Sequence, residues 1–302
     1  MHREMARALG CVLIGLVAAF TVPPAAAARE LLLFDTCGPT ERRSYDHPAF
    51  HVVRPDGSGF RTLRDWPIRA GVGCPRAEPS WSPSGRRLVY RHGDAIATAD
   101  RRLRRRRIVH PPRGQWPVWS PNGARIAFTG LDDGGHDDTL VTVPAGGGRA
   151  RVVARVASRV LLPRWRPDSR ALIFHTGPPT ATRLLEVSAR GGRLRELGPG
   201  SAPAYAPDGE RIAFVQSGAL WTMRRDGTRR RRLTTPAPGV VIERITWSPD
   251  GRRIAFLEDE PGDSIATFIR NIPRRGGRAR TITLPDGLCC PNNLSWSSRS
   301  AR

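Results

Sequence analysis

The sequence predicts an all-β fold, and three observations carry that expectation. The first is composition. The chain has 302 residues with 31 Gly, 28 Pro and 39% hydrophobic residues. The apolar residues fall in short runs divided by Pro and Gly, the pattern of short strands and tight turns. The second is an internal repeat. Trp81–Tyr90 (W-S-P-S-G-R-R-L-V-Y) recurs as Trp119–Phe128 (W-S-P-N-G-A-R-I-A-F) and Trp247–Phe256 (W-S-P-D-G-R-R-I-A-F). Looser copies stand at Trp165–Phe174 (W-R-P-D-S-R-A-L-I-F) and Tyr205–Phe214 (Y-A-P-D-G-E-R-I-A-F), and a sixth begins at Leu294-Ser295-Trp296-Ser297. The third is the period. The repeat aromatics at 81, 119, 165, 205, 247 and 296 are 38 to 49 residues apart, the length of one four-stranded antiparallel blade. Six such units make a six-bladed β-propeller.

Taken in chain order, residues 1–28 come first. A basic start with Arg3 and Arg7, an apolar stretch from Ala8 to Val22, Pro23-Pro24 and a run of four alanines ending at Ala28 read as a secretory signal peptide, cut after Ala28. The apolar stretch is shorter than the roughly 18 residues a membrane span needs. The expectation is an exported protein, periplasmic, wall-associated or extracellular, with no transmembrane span after cleavage and a propeller over residues 29–302.

Within a repeat, Ser-Pro-Asp-Gly sets Pro second, Asp or Asn third and Gly fourth, the chemistry of a tight turn. A Trp-bearing strand therefore turns into an Ile-Ala-Phe strand. A variable loop then leads to a third strand, such as Thr139–Val143 or Ala219–Met223, and a turn leads to a fourth, such as Arg151–Val153 or Arg232–Thr234. The sixth Trp strand has no partners after it. Leu31–Phe34, Phe50–Val53 and Arg61–Leu63 stand where its second, third and fourth strands belong, so both termini should share one blade. That closure removes the free sheet edges of an open ring.

The motif W-S-P-D-G-x-x-I-A-F, repeated over residues 30 to 297, resembles the TolB-type six-bladed β-propeller family. The resemblance implies a fold used for protein binding, for ligand binding and as an accessory domain of peptidases. Ser169 in place of the turn Gly and Tyr205 in place of Trp depart from the pattern. Nothing like the separate N-terminal domain of TolB precedes the repeats, so its cell-envelope partner does not carry over.

The net charge is +22, and all 49 basic residues are arginine. Without lysine there is no P-loop lysine, no Schiff base and no S-x-x-K nucleophile. The arginine runs fall at the turns between third and fourth strands, with Arg104, Arg105, Arg106, Arg229, Arg230, Arg231, Arg274 and Arg275 as the candidate face for an anionic partner. The acidic groups Asp132-Asp133, Asp137-Asp138 and Glu258-Asp259-Glu260 fall between second and third strands, on the opposite face. Nucleic acid does not fit an export signal and is not expected as a partner. Cys37, Cys74, Cys289 and Cys290 fall in loops of one face beside the ring closure, where an exported protein forms disulfides. Cys37 could pair with Cys289 or Cys290 and Cys74 with the other; a vicinal Cys289-Cys290 bond and a metal site are the alternatives. His136 among its aspartates reads as a solvated loop, since the Ca²⁺-loop spacing is absent. No H-E-x-x-H or G-x-S-x-G occurs. The reading is a non-catalytic scaffold without a cofactor, binding a protein or an anionic cell-envelope polymer. The alternatives are a lyase or hydrolase working at the central channel, recognisable by acids and bases with shifted ionisation converging there, and a small-molecule or metal-binding propeller.

Overall fold

The computed structural model describes residues 30–36, 49–63, 77–111, 113–130, 138–260, 266–285 and 291–297. They form 24 strands in six four-stranded antiparallel sheets. Blade 1 takes β1 (Leu31–Thr36), β2 (Ala49–Val53) and β3 (Arg61–Leu63) from the start of the chain and β24 (Asn292–Ser297) from its end. Blade 2 is β4 (Ser80–Trp81), β5 (Arg87–His92), β6 (Ala95–Asp100) and β7 (Arg107–His110). Blade 3 is β8 (Gly114–Trp119), β9 (Arg125–Gly130), β10 (Thr139–Pro144) and β11 (Arg151–Arg155). Blade 4 is β12 (Leu161–Trp165), β13 (Ala171–Thr176), β14 (Arg183–Ser188) and β15 (Arg195–Pro199). Blade 5 is β16 (Ser201–Tyr205), β17 (Arg211–Gln216), β18 (Ala219–Arg224) and β19 (Arg231–Arg232). Blade 6 is β20 (Val241–Trp247), β21 (Arg253–Glu260), β22 (Ala266–Pro273) and β23 (Arg280–Ile282).

The predicted closure is present. β24 pairs antiparallel with β1, Leu32 opposite Trp296 and Leu33 opposite Ser295, so the two ends of the chain complete one sheet.

The repeat explains the packing between blades. Its terminal aromatics Phe34, Tyr90, Phe128, Phe174, Phe214 and Phe256 are all fully buried, as are Leu32, Leu88, Ile126, Leu172, Ile212 and Ile254 two residues before them. Burial of one such side chain stabilises by about 1.5–3 kcal/mol, and the same pair recurs in every blade. The Trp of two inner strands also ties neighbours together. Trp165 Nε1 donates to Val118 O (3.2 Å) of blade 3, and Trp247 Nε1 to Ala204 O (3.1 Å) of blade 5.

The turns follow the expected chemistry. Gly251 N donates to Ser248 O (2.8 Å), the Asp250 carboxylate accepts from Arg252 N (2.9 Å), and Gly251 takes a φ of 66°. Ser169 occupies the same conformation without being glycine, at φ 61°. The two kinds of turn lie on one face, because each outer turn hydrogen-bonds to the inner turn of its blade. Arg101 N donates to Arg86 O, Ala145 N to Ala124 O, Ala189 N to Arg170 O, Arg225 N to Glu210 O and Arg274 N to Arg252 O. We call this the turn face; the loops between second and third strands open on the other, the loop face.

Candidate functional site

The turn face carries most of the expected arginines. Arg104, Arg105, Arg106, Arg229, Arg231, Arg274 and Arg275 are exposed on the outer turns or at the start of the fourth strands of blades 2, 5 and 6. Among the described residues none of them makes an ion pair. Arg105 and Arg229 hold left-handed backbone, at φ 51° and 52°, which costs a non-glycine residue on the order of 1–3 kcal/mol. Arg231 also reaches across to blade 6, where its Nη2 donates to Arg275 O (2.9 Å). Arg230 is placed differently. Its guanidinium turns into the seam between blades 4 and 5, donating to Leu197 O (2.8 Å), Pro199 O (2.9 Å) and Gln216 Oε1 (2.7 Å) over the Phe214 ring. Gly198 leaves room for it, since a Cβ there would stand 2.7 Å from Arg230 Nη2. Arg230 is a blade clamp.

Several other arginines have acidic partners, including Arg166 with Asp168 (2.9 Å) and Arg252 with Asp250 (3.8 Å) on the turn face itself. Arg155 pairs with Asp138 (3.0 Å), Arg270 with Glu258 (3.0 Å), Arg91 with Asp94 (3.0 Å) and Arg183 with Glu196 (2.7 Å). Two of the expected acidic groups, at Asp138 and Glu258, are thus partly neutralised. Asp132, Asp133, His136, Asp137 and the four cysteines Cys37, Cys74, Cys289 and Cys290 lie outside the described residues.

The channel wall holds a feature that the sequence reading did not find. Three residues before each repeat aromatic, the inner strand bulges, and the residue there takes positive φ. These residues are Glu78 (52°), Trp116 (48°), Leu162 (49°), Ala202 (47°), Arg244 (45°) and Asn293 (47°). The ladders between first and second strands shift register there in blades 1, 3, 4, 5 and 6. One backbone device recurs six times and carries six different side chains.

Side chains of the preceding blade hold several of these bulges. Asp35 Oδ2 accepts from Ala77 N (3.1 Å) and Glu78 N (3.4 Å), and Glu78 Oε2 accepts from Trp116 N (2.5 Å). His175 Nδ1 accepts from Ala202 N (3.4 Å). Thr129 Oγ1 instead donates to Val160 O (2.9 Å). Asp35, Thr129 and His175 each follow the terminal aromatic of the repeat, Phe34, Phe128 and Phe174, by one residue, so a single position of the second strand reaches the next blade.

This burial shifts ionisation. Burial pushes the Asp35 carboxyl up to about 6 and the Glu78 carboxyl up to about 7, against the pull of their backbone donors and of Arg244. Burial brings His175 down to about 3, helped by the charges of Arg244, Arg164 and Arg159, so its ring is neutral. Arg164 falls to about 10, through burial and then the Arg244 charge. Acids, a base and two guanidinium groups thus converge on the channel. The described contacts of the acids are to backbone N–H groups and account for their positions. Among the described residues no three His, Cys, Asp or Glu side chains gather as a metal site would require.

Two cavities flank this layer. One of about 340 Å³ opens at the turn face inside the ring of Trp81, Trp119, Trp165, Tyr205, Trp247 and Trp296. The other, of about 590 Å³, opens at the loop face beside blades 4, 5 and 6.

No family model matches the chain. A segment of 118 residues is 40% identical to the Tol-Pal system protein TolB of Anaeromyxobacter dehalogenans, which is 36% of this chain and 26% of that protein. A segment of 178 residues is 25% identical to the uncharacterized protein YidR of Escherichia coli, covering 57% of this chain and 39% of the relative. The chain therefore spans about a quarter of the TolB relative it matches. Among solved structures, TolB from Acinetobacter baumannii superposes with a TM-score of 0.71 at 15% identity, over 91% of this chain and 68% of that one. The oligogalacturonate lyase of Vibrio parahaemolyticus gives 0.57 at 11% identity, over 85% and 82%. At these identities the structural likeness speaks for the fold alone.

Proposed function

Taking the chain as a TolB-like six-bladed propeller, we propose that it is an exported, non-catalytic scaffold whose turn face binds a cell-envelope partner with an acidic surface. One observation carries the reading. Arg104, Arg105, Arg106, Arg229, Arg274 and Arg275 are clustered and exposed on the outer turns of one face and without an ion pair among the described residues, whereas Arg91, Arg155, Arg183 and Arg270 on the loop side and Arg166 and Arg252 in the inner turns have acidic partners. Unpaired guanidinium groups on short turns favour carboxylate or phosphate groups by bidentate hydrogen bonds and raise the association rate through their field. The kinship with a Tol-Pal system protein supports an envelope setting, and the leader-like residues 1–28 support export.

The test is a capture experiment from envelope extract with the protein immobilised, at low and at high salt. It is repeated with Arg104, Arg105, Arg106, Arg274 and Arg275 replaced by Ser. Partners retained at low salt, released at high salt and missing from the variant are expected, because exposed charges are screened beyond roughly 8 Å at physiological ionic strength. Equal capture by the parent and the variant contradicts the proposal.

A second reading is chemistry in the channel, favoured by the raised carboxyls of Asp35 and Glu78. Its test is turnover of acidic oligosaccharides by the parent and by Glu78→Gln. Turnover abolished in that variant would replace the scaffold reading.

A further inference from the structure

The loop-face cavity is distinct from the arginine-rich turns and lies on the opposite face. Its volume, about 590 Å³, falls within the 300–1,000 Å³ of small-ligand sites. Its wall is about half apolar, from Leu162, Ala202, Val215 and Ile242 inside to Val241 at the rim, where that side chain is 49% exposed. Arg244 and Trp116 border it, from opposite sides of the channel.

Arg244, on the inner strand of blade 6, is only 8% exposed. Among the described residues it makes no hydrogen bond, and its one ion-pair contact is Glu243 Oε2 at 3.5 Å. The Glu243 side chain is itself 42% exposed and shared with water, so the pair leaves most of the guanidinium donors unused. Trp116 reaches over from blade 3 to pack against the cluster of Leu162, Ala202, Ile242 and Ile245. Its indole Nε1 is buried and has no hydrogen-bond partner. Guanidinium and indole are donors with no acceptor capacity, and a buried donor left unmade costs about 1–3 kcal/mol. Both hold strained positive-φ backbone, which fixes where they stand.

The partner that Arg244 lacks must therefore be an acceptor. The field selects a negative one: His175, on the same wall, feels the positive charges of Arg244, Arg164 and Arg159. His175 itself adds no charge. We infer that this cavity is a binding site for a small organic carboxylate, with its apolar body against Trp116, Leu162, Val215 and Ile242 and its carboxylate accepting from Arg244. This goes beyond the scaffold reading and uses neither the turns nor their arginines.

The test titrates the full chain with 4-phenylbutyrate and, separately, with the matched neutral amide, followed by calorimetry and tryptophan fluorescence. Saturable binding of the acid is expected, with the amide at least tenfold weaker, since hydrogen bonds to charged groups are the stronger ones. This comparison needs no variant. Arg244→Gln should weaken the acid at least tenfold, Trp116→Phe should remove most of the fluorescence change, and Arg275→Gln on the turn face should leave both unchanged. No saturation up to roughly 10 mM acid, the range of affinities too weak to report a site, overturns the inference. So does an amide that binds as tightly as the acid, or an Arg275→Gln variant that weakens binding as much as Arg244→Gln does. Loss of envelope capture by the turn-face variant with carboxylate binding intact, or the reverse, separates the fate of this inference from that of the scaffold reading.

Discussion

The turn face and the channel wall are built on the same sixfold backbone and use it in opposite ways. On the turn face the repeat holds both shape and residue type: Pro, Asp or Asn, and Gly recur, and the Trp or Tyr two residues before the Pro recurs with them. On the channel wall the shape recurs six times, at φ 45° to 52°, while the residue changes every time, from Glu78 and Trp116 to Leu162, Ala202, Arg244 and Asn293. A repeated residue at a repeated shape is what blade packing demands. A strained shape kept while its side chain varies marks a position where no single residue type is demanded and which is open to specialisation.

The largest break in this comparison is to remove the repeat itself. Deleting residues 292–302 takes away β24, the inner strand of blade 1, and exposes the ladder edge of β1. Thermal unfolding should lose its single cooperative transition or fall by more than about 10 °C. A truncated protein that melts like the parent contradicts the closure.

Next come the acids that hold the bulges. Glu78→Ala leaves Trp116 N without its acceptor and should cost about 1–3 kcal/mol in denaturant unfolding. The pH dependence is more specific. The Glu78 carboxyl, ordinarily near 4.5, stands at about 7 in the fold, so the fold prefers its neutral form. Its contribution is full below the ordinary value and is lost as pH rises through about 7. His175 works the other way, from 6.5 down to about 3, and costs stability only as pH falls below 6.5. Between pH 6.5 and about 8 the protein should therefore lose stability as pH rises, and Glu78→Gln should flatten that slope. A parent that gains stability over that interval refutes the assignment.

A smaller effect belongs to the seam. Trp247→Phe removes the donor to Ala204 O and should cost about 1 kcal/mol. The smallest is Ser169→Gly. It relieves a non-glycine residue at φ 61° but removes the Ser169 Oγ that accepts from Asn122 N (3.1 Å), so a gain below about 1 kcal/mol is expected. A clear loss of stability would assign the contact to Asn122 more weight than the backbone strain.

The ring was legible because propeller packing writes residue type into the chain: the six aromatics, the buried Ile-Ala-Phe strands and the three strands supplied by the N-terminal part could be placed by spacing alone. The bulge layer was not, because it is a matter of backbone register and shares no residue type. Counting three positions back from each aromatic would have located it, though not its chemistry. The roles of Arg230 and Arg231 depend on carbonyls of neighbouring blades and have no local signature. Pairing of Asp138 with Arg155 and of Glu258 with Arg270 was likewise not legible, since each pair meets across neighbouring strands.

The most direct test of this division of labour is a salt titration of partner affinity. It would use the envelope partner captured at low salt and compare the parent, the five-arginine turn-face variant and Arg244→Gln. The turn-face variant should lose both affinity and salt dependence while Arg244→Gln keeps both. A partner that ignores the turn-face arginines and is lost with Arg244→Gln would contradict it, and would move the protein-binding site to the channel.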